Sequence, residues 1–134
     1  MKKILVICLY VVLIILIAVF VLYVFATAPK YEGEFLLGVY EEEIKNQNFQ
    51  METTYGEIID YKFAAKVGQK AISDRFSDAE SSLLKWRGCL VSYDKENDVY
   101  HVLLYPIAVI PMFGGSYEVL IKSDGTILAI WGNK

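Results

Sequence analysis

The side chains of this sequence best suited to proton transfer, metal binding or nucleophilic attack are few. His101 is the only histidine, which rules out a histidine pair or a multi-histidine metal site. A lone histidine can still act as a base. His101, however, stands between Tyr100 and Val102 in a strand-like run with no carboxylate fixed beside it by sequence, so a structural or surface role is expected. Cys89 could in principle meet His101 across a hairpin, but it sits with Leu90 and Val91, and a buried, inert thiol is the expectation. Asp94, Glu96 and Asp98 form a local acidic run of the kind found in a solvated turn, able at most to hold a cation weakly. Gly114-Gly115 is too short to cradle a phosphate, and there is no zinc-spaced cysteine set and no serine at a strand-to-helix elbow. The expected sets of catalytic, metal-binding and cofactor-binding residues are therefore empty.

These groups need elements to position them. Asp60 can cap a helix start, and Phe63, Ala64, Val67, Ala71, Ile72 and Phe76 then mark one apolar stripe with Lys62, Lys66 and Lys70 opposite, predicting a helix over 61–76. From there the period changes to two. Strands are expected over 84–93 and 99–105, joined by the polar turn Asp94-Lys95-Glu96-Asn97, and over 117–122 and 126–131, joined by Ser123-Asp124-Gly125. Between these two hairpins, Pro106 and Pro111 bracket an apolar loop and exclude regular pairing at their own nitrogens. The fold class is α+β, a helix packed on a four-stranded antiparallel sheet, with Ala64, Ala65 and Gly68 allowing close approach. The second sheet face needs a cover. Phe35, Leu36, Val39, Tyr40 and Ile44 recur at helical spacing, so a short helix near 35–46, weakened by Gly38, could supply it; otherwise the sheet curves round a pocket or leaves that face to a partner.

Ahead of the domain, 23 consecutive residues from Ile4 to Ala26 carry no charge, enough to cross a hydrocarbon core of about 30 Å as a helix. Lys2 and Lys3 precede the run and Glu32 and Glu34 follow it, favouring a cytoplasmic N-terminus and an extracytoplasmic domain. Ala26-Thr27-Ala28 has the form of a signal-peptidase site, but the run exceeds a normal signal core and Pro29 would be the first mature residue, so residues 1–28 are read as an uncleaved anchor. Cleavage would still export the domain. Cys8 lies in the span and Cys89 is alone beyond it, so no disulfide within the domain is available.

Charge is uneven. Residues 32–60 hold eight acids against Lys45, a net of −7, whereas residues 61–134 carry a net of +1. Such a balance lacks the basic stripe that nucleic acid requires, and an acidic segment is repelled by anionic lipid. The acids Glu41, Glu42 and Glu43 are the candidate surface for a basic partner, although a charge run of this kind is ordinarily a solvated helix face. Strand tyrosines at 93, 100, 105 and 117 are ordinarily sheet packing, and become an interface if several project from an uncovered face.

The C-terminal part, Gly114-Gly115, then Tyr117-Glu118-Val119-Leu120-Ile121-Lys122, then Asp124-Gly125-Thr126-Ile127-Leu128 and Trp131-Gly132, resembles the small NTF2-fold immunity proteins of bacterial polymorphic toxin systems. The resemblance spans about residues 60–134, leaving the anchor (1–28) and the acidic juxtamembrane segment (29–59) outside. It departs where Phe76-Ser77 replaces a Tyr-Gly after the helix and Tyr100 replaces a strand tryptophan. What it implies is a membrane-anchored, non-catalytic protein that binds and neutralises a cognate toxin. The alternative, sharing the strand, Asp-Gly turn and strand design, is a PepSY-like or cystatin-like envelope module that inhibits a protease or assists a membrane complex.

Overall fold

A computed structural model describes residues 1–46, 54–76, 87–107 and 115–133. Helix α1, Lys2–Thr27, is long and apolar enough to cross a bilayer, and none of its residues is buried against the rest of the chain. A signal sequence carries the same signature. Strand β1, Pro29–Glu34, follows directly, then a 3₁₀ turn, Leu37–Tyr40, and a six-residue helix α2, Glu41–Asn46. Helix α3 is Tyr61–Arg75, and strands β2 (Arg87–Asp94), β3 (Val99–Pro106), β4 (Tyr117–Lys122) and β5 (Ile127–Gly132) complete the domain.

The expected α+β class holds, but the sheet is five-stranded and mixed, in the order β1-β2-β3-β4-β5, rather than four-stranded and antiparallel. The extra strand is β1, which pairs in parallel with β2 from Pro29 opposite Cys89 to Glu34 opposite Tyr93. Its sequence, PKYEGE, has neither alternation nor β-branched residues. An edge position tolerates this, because one face of the ladder stays solvated, proline can open an edge strand, and the register slip at Tyr31/Gly33 absorbs an extra residue. The four expected strands form two antiparallel hairpins as the period-two pattern requires. Pro106 does pair, opposite Arg87, at the last position of β3, where no further ladder follows. Residues 84–86, expected to open β2, and residues 108–114 of the expected apolar loop lie outside the described residues.

Helix α3 starts where the capping signal places it: the Asp60 carboxylate accepts from the Phe63 amide at 2.7 Å. Its buried side, Ala64, Ala65, Val67, Gly68, Ala71 and Ile72, lies on Val91, Val102, Leu104, Val119 and Ile121. Small residues let the axis approach. A Cβ added at Gly68 would come within 2.9 Å of Val102 Cγ1 and 3.1 Å of Val119 Cγ1. Full burial of aliphatic side chains such as Ile72, Leu104 and Ile121 contributes roughly 1.5–3 kcal/mol each.

The opposite face has a cover from the 35–46 segment, but of the expected stripe only Phe35, Tyr40 and Ile44 face the sheet; Leu36 and Val39 point to solvent, because the 3₁₀ turn rotates them outward and brings Leu37 in. Phe35, Leu37, Tyr40 and Ile44 pack over Val99, Leu120 and Ala129. The expected single helix is instead divided into the 3₁₀ turn and α2, with Gly38 inside the turn. One buried carboxylate fixes this layer to the sheet: Asp94 accepts from the Leu37 amide at 2.8 Å while also accepting from the Glu96 and Asn97 amides of the β2–β3 turn.

Candidate functional site

The cover and the sheet enclose the one histidine. His101 on β3 shares a face with Ser92 on β2 and Glu118 on β4, because Ser92 is directly opposite His101 and Glu118 lies one diagonal step away. The Nε2 atom of His101 is 2.8 Å from Glu118 Oε2, and Nδ1 is 3.5 Å from Ser92 Oγ. Asn133 donates to Glu118 Oε1 at 2.6 Å. Burial works to raise the Glu118 carboxyl above its ordinary value, but the bond from His101, the charge of that ring and the bonds from Asn133 and Trp131 outweigh it and hold the group below.

This line has the composition of a catalytic triad but not its geometry. Serine attack requires an exposed hydroxyl beside free amide donors for the oxyanion. Ser92 is only 7% exposed, its contact with the ring is at the limit of a hydrogen bond, and β2 is paired on both sides, so its amides serve the ladders. Tyr40, Phe35 and Trp131 stand around the imidazole at centroid distances of 4.9, 5.5 and 6.4 Å. The arrangement is a polar tie between β3 and β4 inside an aromatic wall. The sequence by itself fixes no partner for His101; the signal that points to Glu118 is its position as the one carboxylate in YEVLIK on the face shared with Leu120.

Cys89 and His101 do not meet. Cys89 joins the α3-side core while His101 faces the cover, and burial pushes the Cys89 thiol up to about 12, far from a nucleophilic state. Nor does the acidic run form a cation site. The Asp94 carboxylate is engaged by Leu37, Glu96 and Asn97, and Asp98 accepts from Ser123 and Tyr93. Among the described residues no cluster of three His, Cys, Asp or Glu side chains could hold a metal.

Glu41, Glu42 and Glu43 form the first turn of α2. Glu41 pairs with Lys45 at 3.4 Å with both side chains largely exposed, a contact worth about 0.3–0.5 kcal/mol. Acids there also favour the positive end of the helix dipole. Glu41 and Glu42 are exposed and accessible to a partner while Glu43 is half-buried, and the position of all three equally explains them as local helix stabilisers.

A different surface gathers the tyrosines. Beyond the N-terminal end of α3, Tyr93 and Tyr100 are paired across β2 and β3 with ring centroids 4.5 Å apart, and Tyr31 of β1 stands 5.8 Å from Tyr61 of α3. The four rings line an open groove of about 240 Å³. Tyr93 donates to Asp98, and that bond, with lesser burial and charge effects, pushes its hydroxyl up to about 12. Tyr93 and Tyr100 are recognisable in the sequence as strand residues, whereas Tyr31 and Tyr61 join them only through the folded arrangement.

Comparisons with protein-family models, curated proteins and solved structures return no match for this chain.

The carboxylates give an acid-stability prediction. Bonds from Ser123 and Tyr93 hold Asp98 below its ordinary value. At Asp94 burial pulls upward, but the bonds from Asn97, Leu37 and Glu96 prevail and hold it low. A carboxyl depressed on folding contributes stability that is complete above its unfolded value, about 3.9 for Asp, and is lost as pH falls through the folded value. The melting temperature of the chain in detergent should therefore be nearly level from pH 7 to about 5 and fall below about pH 4. Asp94→Asn should be less stable at neutral pH and show a shallower fall; an equal slope in both proteins would remove Asp94 as a source.

Proposed function

We propose that this chain is a membrane-anchored, non-catalytic binding protein of the immunity type, which neutralises a toxin by occupying its surface. The observation that carries the reading is the exposed tyrosine groove beside Asp60 and Asp98. Tyrosine combines large contact area with a polar tip, and clusters of it typify binding surfaces. The polar groups elsewhere that could have supported chemistry are spent on holding the layers together. The resemblance over residues 60–134 adds the toxin as the class of partner.

In this reading α1 is retained as a single span with its N-terminus in the cytoplasm, and the domain stands outside. Ala65, Lys66 and Gln69 of α3 face Val24, Thr27 and Pro29 across a recess, so the domain is held close to the end of the span. Tethering raises the local concentration of the binder where an incoming effector must pass, without adding a contact. The toxin is then one that acts on the membrane or the envelope.

Co-expression with the toxin-like product of the adjacent gene, directed to the envelope, tests this. Survival is expected with the full chain and should fall when residues 1–28 are replaced by a cleavable signal. Death of cells in which the chain is folded and exported would overturn the immunity reading and favour the PepSY-like or cystatin-like envelope module. Replacing Glu41, Glu42 and Glu43 with Ala should slow association and reduce its salt dependence if those acids meet the partner.

A further inference from the structure

The tyrosine groove has a chemical preference that its shape alone does not express. Ring faces carry negative potential and attract cations, most strongly when several converge. Carboxylates reinforce that potential. Asp60 caps α3 one residue before Tyr61, Asp98 is bonded to the Tyr93 hydroxyl, and both act electrostatically on Tyr100. Glu34 lies opposite Tyr93 in the β1–β2 register. The Lys62 ammonium lies 6.0 Å from the centroid of the neighbouring Tyr61 ring, at the outer reach of a cation–π contact.

We infer that the groove lined by Tyr31, Tyr61, Tyr93 and Tyr100 receives an arginine or lysine side chain of a protein partner. Several features favour such an occupant. The opening is shallow and accessible, with Tyr31 51% exposed, as suits the tip of a side chain rather than an enclosed small molecule. Tyr93 is held by Asp98, so part of the wall is oriented before the cation arrives. Carboxylates at the rim meet the charge and also attract it over distance. The inference deepens the binding role proposed above, on which it rests for the partner, and names the chemistry by which the partner is gripped.

The test uses the full chain in a neutral maltoside detergent and a hexa-arginine peptide, with a hexa-citrulline peptide as a neutral counterpart of nearly the same shape. Wild type should bind the arginine peptide and not the citrulline one. Tyr93→Ala combined with Tyr100→Ala should weaken binding about tenfold, since each half-buried ring contributes a modest share. Tyr100→Phe should stay within about twofold, because the ring face remains and the Tyr93–Asp98 bond is untouched. Tyr31→Ala, at an exposed edge position, should weaken binding about threefold without unfolding the domain, and so keeps the test open if the double alanine variant is unstable. Equal binding of the citrulline peptide, unchanged binding by Tyr31→Ala, or displacement of the arginine peptide by phosphocholine at a lower concentration than by free arginine would overturn the inference. The last result would assign the groove to a lipid headgroup instead. Because the titration needs no toxin, it can succeed where the survival assay fails, and the reverse.

Discussion

Glu118→Ala is expected to lower the unfolding free energy by roughly 2–4 kcal/mol, because it removes an ionised acceptor from inside the covered face and leaves its donors behind. His101 Nε2 and Asn133 Nδ2 both point at Glu118, whose side chain is only 13% exposed. Without it, water cannot readily replace the bond to His101 under the Tyr40, Phe35 and Trp131 rings, whereas Asn133 is exposed and resolvated. His101→Phe should also destabilise, by stranding the carboxylate. The combination His101→Phe with Glu118→Leu should cost less than the sum, since an apolar pair of similar volume leaves no buried group unsatisfied. Urea unfolding of the four proteins in detergent measures that coupling. Additive losses would mean that the two side chains do not depend on one another, and the polar tie would then have to be abandoned as the account of His101.

How much of this could be read in advance depends on whether the signal is local. Helix α3 could be, because the cap at Asp60 and the stripe from Phe63 to Ile72 repeat every turn, and because burying that stripe is what holds the helix. The two hairpins could be, because alternation and the Asp124-Gly125 turn are contained in short stretches. Strand β1 could not. Apart from Tyr31, nothing in PKYEGE prefers a strand; it becomes one because β2 offers an unpaired edge beside the end of α1. The cover over residues 35–46 was visible as helical spacing, yet six residues are too few for an independent helix, so tertiary contact with Val99, Leu120 and Ala129 determines its form.

The candidate site follows the same division. Glu41, Glu42 and Glu43 stand out in the sequence because they are consecutive, which is also why a local helix-end role suffices for them. The His101 tie spans 17 residues and the tyrosine groove draws on β1, α3, β2 and β3. Neither has a sequence pattern. Both require the register of strands whose pairing partners lie far apart, and for the groove also β1, the strand with no signal of its own.

Gly125→Ala is expected to destabilise the domain by roughly 3 kcal/mol or more, well beyond the cost of a positive φ. Gly125 has φ +87, and an added Cβ would lie 2.3 Å from the Gly56 carbonyl oxygen and 2.7 Å from the Gly56 nitrogen. Both obstacles are backbone, so no rotamer change can relieve them. The β4–β5 turn and the segment entering α3 would have to separate, breaking the bonds from the Tyr55 amide to Gly125 O at 3.2 Å and from the Ile58 amide to Ser123 O at 2.7 Å. Ile58, 5% exposed, would lose part of its burial with them. Gly56 supplies the comparison, since its φ is +86 with nothing within 4 Å of an added Cβ. Gly56→Ala should therefore show the conformational cost alone, about 1–2 kcal/mol. Chemical denaturation of both variants, with amide exchange followed at Tyr55 and Ile58, separates the terms. Similar losses in the two would mean that the turn does not rest on this segment. A larger loss at Gly125 with faster exchange at Ile58 would show that the Asp-Gly turn, whose local role the sequence declares, also clamps the approach to α3 and hence the position of Asp60 and Tyr61 at the groove.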